Sequence, residues 1–168
     1  MNLKKMLPAL LAGLVILGAA GWYLFPRLHY QRELTPDAIY QSLDDLADDK
    51  KMGTLFDHLH QAQGMRLDLN HRNQAGQRSI EIAAAHDQGL AAAAFIVAGS
   101  GINEVNADGD TVTHIAVRNH ALNVIKQLAH FMPRLDIRNK AGQTPIELAA
   151  QMGDVDTVAL LTGTVTSN

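Results

Sequence analysis

The 168-residue sequence contains no cysteine, which excludes disulfide bonds, thiolate metal ligands, a cysteine nucleophile and attachment through a lipidated cysteine. Aromatic residues make up only 5% of the chain and alanine is abundant, a composition typical of short, closely stacked helices. The sequence also lacks a serine elbow, a phosphate-binding loop and a pair of carboxylates in a cleft-forming context. We therefore expect a protein that is not an enzyme and that binds no cofactor.

Positive charge is scarce after the first 32 residues. Four of the 14 basic residues precede Glu33, whereas all 17 acidic residues lie from Glu33 onward, which leaves a net charge of −7 in that part. An acidic domain is a poor match for nucleic acid or for an anionic lipid surface. We expect no nucleic-acid partner.

One long apolar run stands near the N-terminus. Met6–Phe25 comprises 20 residues without a charge, and a helix of that length covers about 30 Å, the thickness of the hydrocarbon core of a bilayer. Lys4 and Lys5 precede the run, which favours a cytoplasmic N-terminus. We expect residues 1–5 in the cytoplasm, residues 6–25 as a single transmembrane helix in a bacterial inner membrane, and the domain that follows the linker 26–34 in the periplasm.

A cleaved signal peptide is the alternative for this run. Leu7–Leu17 would be its apolar stretch and Gly18-Ala19-Ala20 its small-residue cleavage site. Trp22–Phe25 continue the apolar run past that site, which favours retention. A third interpretation is a buried helix. Both the transmembrane anchor and the cleaved signal peptide would place residues 33–168 across the membrane, in the periplasm.

The first helix pair is expected at residues 35–67. Thr35-Pro36-Asp37 is typical of a helix start, with Thr35 as the cap. The first helix would run to about Lys50 with Ile39, Leu43 and Leu46 inward, and with Asp44, Asp45, Asp48 and Asp49 outward. A second helix would follow a break at Gly53-Thr54 and end near Gly64, with Leu55, Phe56 and Leu59 inward.

A period of 33 residues organises the rest of the chain. Gly76, Gly109 and Gly142 are spaced by 33, and an asparagine precedes each glycine by three places. Each glycine is followed six and seven places later by an apolar residue and an alanine: Ile82-Ala83, Ile115-Ala116 and Leu148-Ala149. A fixed period of this length predicts a stack of repeated helix pairs.

The best-formed copy, Gly142–Ala149, resembles the ankyrin repeat, whose helix opening is Gly-x-Thr-Pro-Leu-His-x-Ala. The resemblance implies an all-α solenoid with β-turn fingers, in which residues 35–67 are a degenerate capping pair. The repeats would be residues 68–101, 102–134 and 135–163, with a tail at 164–168. The motif's histidine is present only at His114, Arg78-Ser79 replaces Thr-Pro, and Asp87-Gln88-Gly89 lacks the turn glycine at its first place.

The same resemblance implies where a partner would bind. Ankyrin stacks use their finger tips and the exposed ends of their inner helices as one protein-binding surface, and we expect this part of the chain to be monomeric. The matching positions here are Gln74, Gln77, His86, Asp108, Asp110, Arg118, Asn119, Lys140, Gln143, Gln151 and Met152. The opposing hypothesis is a metal- or small-ligand-binding periplasmic domain that uses His58, His60, His86 or His120.

Overall fold

The computed structural model describes residues 35–166, with side chains described as far as residue 163. The predicted N-terminus 1–5, transmembrane segment 6–25 and linker 26–34 lie outside the described residues. Within them there are eight α-helices and no strand: α1 (Pro36–Asp48), α2 (Met52–Gly64), α3 (Ser79–Ala85), α4 (Gly89–Ala98), α5 (Val112–Arg118), α6 (Leu122–Ala129), α7 (Pro145–Met152) and α8 (Val155–Thr166). None of these helices is both long and apolar enough to cross a membrane.

The helices from Ile39 onward form one compact unit built as two rows. The inner row packs α3 against α5 and α5 against α7, and the outer row packs α2, α4, α6 and α8 in order. Each inner helix also packs on the outer helix that follows it in the chain. This arrangement confirms the predicted stack of repeated helix pairs, in which neighbours supply the apolar surface that one pair alone lacks.

The recurring asparagine and glycine form the same turn in all three repeats. The Asn73 side-chain oxygen accepts hydrogen bonds from the main-chain N–H groups of Ala75 and Gln77, both at 3.0 Å. Asn106 and Asn139 do the same in their own repeats. The glycines at positions 76, 109 and 142 have φ between 75° and 77°, a left-handed conformation that residues with a Cβ adopt only at a cost. The 33-residue signature therefore encodes the fingers.

Threonine side chains cap three of the helix starts. Thr111 and Thr144 precede α5 and α7, and the hydroxyl of each accepts the main-chain N–H three residues later. Pro145 occupies the first turn of α7. Thr35, at the start of α1, accepts the Ala38 N–H at 3.2 Å, as predicted.

The first full repeat has Asp87 in place of the turn glycine, and the backbone keeps the same left-handed conformation there. Asp87, His120 and Gly153 stand 33 residues apart between paired helices and have φ of 54°, 51° and 71°. Gly89 is needed for a different reason, because a Cβ there would lie 2.7 Å from the main-chain oxygen of Asn123. The alanine-rich α4 thus packs very closely on α6.

Three expectations about the first helix pair are wrong. Asp44 does not face solvent: it is partly buried, accepts a 2.7 Å hydrogen bond from the Ser79 hydroxyl, and has its pKa raised by burial. Phe56 is 57% exposed. Phe56 lies one position, or about 100°, from Leu55 and therefore points away from the buried stripe of Leu55, Leu59 and Ala62. The predicted break at Gly53-Thr54 is also absent, because α2 begins at Met52 and both residues lie inside it.

The last helix is longer than its predicted repeat. The third repeat is predicted to end at residue 163, but α8 continues to Thr166. The predicted tail therefore begins as helix.

Candidate functional site

An open groove of about 550 Å³ lies between finger 1 (residues 65–78) and finger 2 (residues 99–111), beside the ends of α3 and α5. We call it the finger groove. Five of the side chains predicted to bind a partner line it: Gln77, Asp108, Asp110, Arg118 and Asn119. They converge because the 33-residue period brings equivalent finger tips and inner-helix ends into register.

Asp110 fixes one wall of the finger groove rather than presenting a free carboxylate. It is 3% exposed. One oxygen accepts from the Asn139 amide at 2.9 Å, and the other from the Arg118 guanidinium at 2.6 Å. The first bond ties finger 2 to finger 3 (residues 130–144), where the Lys140 N–H also donates to the Asp108 carbonyl at 2.9 Å. Asp110 is therefore the one predicted partner-binding residue whose side chain is buried, because it joins neighbouring fingers.

A buried ion cluster supports the opposite wall. Glu81 is 3% exposed and accepts from the Arg78 Nε at 2.6 Å, while Arg72 approaches the same carboxylate at 3.3 Å. The Glu81 carboxylate also accepts from the Arg78 main-chain N–H at 3.2 Å. This contact closes the first turn of α3 without the threonine that caps α5 and α7.

The arginines of this cluster carry the contact into the next finger. Arg78 is 1% exposed and donates to the carbonyls of Gly101 at 2.8 Å and Glu104 at 3.0 Å. Arg72 donates to the Val105 carbonyl at 2.7 Å. Fingers 1 and 2 are thus bound together by guanidinium groups that fork between carbonyl acceptors, which arginine geometry favours.

His114 performs the equivalent task one repeat later. Its Nδ1 accepts the Thr111 N–H at 3.1 Å, so the ring proton is on Nε2, which donates to the Gln143 carbonyl of finger 3 at 3.0 Å. The ring is fully buried, and this burial lowers its pKa. The structure therefore supports the structural role that the resemblance implied for this histidine.

The solvent side of the finger groove is chemically mixed. Gln77, Asp108 and Asn119 are exposed, and the Arg118 side chain is 51% exposed although one of its nitrogens is held by Asp110. The groove can offer a carboxylate, a guanidinium and amide groups to a ligand. Such an array is suited to recognising polar side chains on a folded or extended polypeptide.

The other predicted residues lie outside the finger groove. Gln74 and Lys140 are exposed at the tips of fingers 1 and 3. Gln143 donates a side-chain hydrogen bond to Gln151, and Met152 is partly buried at the end of α7. His86 lies at the inter-helix turn, where its Nδ1 is 2.6 Å from the Asp48 carboxylate.

The histidines of the metal-site hypothesis have separate partners. His58 Nδ1 lies 2.7 Å from the Ser42 hydroxyl, and His120 Nδ1 lies 3.0 Å from the Asp154 carboxylate. In residues 35–163, no group of three or more histidine, aspartate or glutamate side chains comes together in a way that could hold a metal ion. The structure offers this hypothesis no preformed site.

Sequence reasoning missed the ion cluster behind the finger groove. A signal was present, because the first full repeat replaces the cap residue with Arg78 and the histidine with Glu81 within one motif. Two departures of opposite charge at three-residue spacing in a helix start indicate a pair. Their common burial depends on carbonyl acceptors from the next finger, which the local sequence does not specify.

Comparison with known protein families identifies one family. The family described as ankyrin repeats (3 copies) matches residues 80–167. No curated protein matches the chain. Ankyrin repeats are generally modules for protein–protein interaction. With its matching period, finger turns and two-row helix stack, this chain belongs to the ankyrin-repeat family.

Proposed function

We propose that this chain is a membrane-anchored ankyrin-repeat protein that binds one protein partner through the finger groove. The observation that carries the proposal is the convergence of Gln77, Asp108, Arg118 and Asn119 on one open groove. Contacts to the neighbouring main chain hold its walls in place. A recognition surface that is already rigid loses little conformational entropy on binding.

The proposed role is that of an adaptor, an accessory factor or an immunity protein, without catalytic activity of its own. Each role requires only that the chain hold another protein in place or cover one of its surfaces. The identity of the captured partner would separate them: an enzyme of the cell envelope indicates an accessory factor, and a toxin indicates an immunity protein.

Residues 6–25 would anchor the domain in the inner membrane, with the repeats in the periplasm as monomers. The support is the uncharged length of Met6–Phe25 and the preceding lysines. An anchor restricts the search for a partner to the membrane plane and raises its effective concentration there. A periplasmic reporter fused after Asn168 is expected to be active; activity of a cytoplasmic reporter alone would overturn this location.

Cross-linking in cells tests the binding surface. A photo-reactive amino acid replaces Asn119 in the finger groove or, as the matched control, Val97, which is 75% exposed on the outer helix α4. The proposal predicts a defined adduct with one protein from position 119 and none of that adduct from position 97. Capture of the partner from position 97 alone would refute the groove as the binding surface.

A further inference from the structure

The carboxylates of the finger groove differ in whether their charge is already neutralised. Glu81 is held by two arginines, and Asp110 by Arg118 and the Asn139 amide. In contrast, the exposed carboxylate of Asp108 takes part in no hydrogen bond or ion pair with any described residue. One negative charge therefore stands in the groove without a partner.

Part of the groove lining that accompanies this charge consists of small or apolar residues. Ala85, Ala107 and Ile115 line the finger groove together with the glycine of finger 1. Ala107 is exposed, and Ala85 and Ile115 are partly buried. Short side chains leave room for a long one to enter, and the methyl groups and the isoleucine offer contact to an aliphatic stem.

Arg118, the cationic side chain of the groove lining, already has a carboxylate partner. Arg118 donates to Asp110 at 2.6 Å, so an incoming acidic group would compete with a carboxylate that is 3% exposed and fixed. An incoming basic group meets no such competition at Asp108. The net charge of −7 from Glu33 onward, where all 17 acidic residues lie beside 10 basic ones, also favours approach of a basic surface.

We infer that the finger groove receives a lysine or arginine side chain of the protein partner, with its aliphatic stem over Ala107 and Ile115 and its cationic head at Asp108. This rests on the proposed function and names the chemistry of its partner. Lysine and arginine commonly bury their methylene stems along apolar surface while the charge stays at a polar edge. The carboxylates of Glu81 and Asp110 keep their existing partners and hold the groove walls in place. The carboxylate of Asp108 is the one that favours a positively charged side chain.

A peptide pair that differs in charge alone tests the inference. The full-length protein is titrated into fluorescein-labelled Gly-Ala-Leu-Arg-Leu-Ala-Gly, and into the same peptide with neutral citrulline or with glutamate in place of arginine. Fluorescence anisotropy gives each Kd. We expect the arginine peptide to bind about fivefold more tightly than the citrulline peptide, the upper range for one exposed ion pair, with the glutamate peptide the weakest.

Two variants assign the preference to one residue. Asp108→Asn should reduce the ratio of the arginine and citrulline Kd values to about one, because the neutral amide keeps the shape but not the charge. Asp156→Asn, an exposed change on α8 outside the groove lining, should leave the ratio unchanged. The inference would be overturned if the wild-type protein bound the arginine and citrulline peptides equally well, or if Asp108→Asn kept the wild-type ratio of the two Kd values. It would also be overturned if the arginine peptide bound with a Kd weaker than about 1 mM.

Cross-linking from position 119 separates this inference from the proposed function. A partner captured strongly by the wild-type chain and up to about fivefold less by Asp108→Asn supports both. Equal capture by both chains refutes the basic side chain at Asp108 and leaves the groove as the binding surface. Absence of any adduct from position 119 refutes the groove itself, whatever the peptides do.

Discussion

The imidazole of His114 and the main-chain carbonyl of Gln143 are joined by a 3.0 Å hydrogen bond between neighbouring repeats. The ring is buried, and its other nitrogen accepts from Thr111 at the start of its own helix. One neutral side chain thus closes the cap of α5 and attaches finger 3. Protonation would remove the acceptor at Nδ1 and place a charge in the core.

This geometry predicts a stability that falls in mild acid. Burial lowers the folded-state pKa of His114 below the unfolded value of about 6.5. Stability is therefore fully present above about pH 6.5 and is lost as pH falls from there through the folded pKa, because the unfolded chain binds the proton more readily. Urea titrations at several pH values between 7.5 and 5 measure this directly.

The matched control uses another histidine. His60→Gln changes an exposed residue of α2 and should keep the acid-dependent loss of the wild-type chain. His114→Gln should start less stable and show a smaller further loss in acid. An equal pH dependence in wild type and His114→Gln would contradict the role given to the ring.

The turn glycines differ in what surrounds them, which predicts unequal costs of the same substitution. Gly109 and Gly142 have nearly identical φ values of 75° and 77°. A Cβ at Gly109 would lie 3.0 Å from the Lys140 N, whereas a Cβ at Gly142 would meet nothing within 4 Å. Alanine at either site should cost about 1–2 kcal/mol for the backbone conformation, and alanine at Gly109 should cost more. Equal melting temperatures of the two variants would contradict the close approach of fingers 2 and 3.

The ion cluster predicts a large effect at one arginine and a small one at another. Arg78→Ala removes donors to Glu81, Gly101 and Glu104 in a buried site, and we expect a loss of about 3 kcal/mol in the free energy of unfolding. Arg138→Ala removes an exposed partner of Glu147 and should change stability little. Chemical denaturation measures both, and comparable losses would show that burial of the cluster is not what stabilises it.

Two buried threonines should respond in opposite directions to valine. The Thr113 hydroxyl is buried and has no hydrogen-bond partner in the described part of the chain. Thr113→Val should therefore stabilise the protein by about 1 kcal/mol. Thr157 is equally buried, but its hydroxyl donates to Asp154 at 2.9 Å, so Thr157→Val should destabilise by about 1 kcal/mol. Thermal melts of the two variants distinguish them, and a change of the same sign in both would contradict this account.

The parts of the fold that sequence could predict are those determined within one repeat. The asparagine turn, the left-handed glycine and the cap at Thr144 involve residues at most four places apart, so the 33-residue signature contains all of their partners. The register of the repeats follows from the same signature. Groove residues such as Asp108 and Asn119 could be predicted for this reason.

The parts that sequence could not predict depend on contacts between repeats. The burial of Arg78 requires carbonyl groups 23 and 26 residues away, and the burial of Asp110 requires Asn139 from the next finger. The position of Phe56 was wrong for a local reason, because it follows Leu55 by one place and so points away from the buried stripe of Leu55, Leu59 and Ala62. A shift of one position rotates a helical side chain by about 100°.

The most direct test of the central claim is the affinity of the captured partner for two matched variants. Asn119→Arg obstructs the finger groove, and Val97→Arg makes the same change on the exposed outer face of α4. Isothermal titration of the partner into the full-length chain should show at least a tenfold weaker Kd for Asn119→Arg and an unchanged Kd for Val97→Arg. Recognition through the groove would be contradicted if Asn119→Arg bound the partner with the same Kd as the unmodified chain while Val97→Arg bound it more weakly.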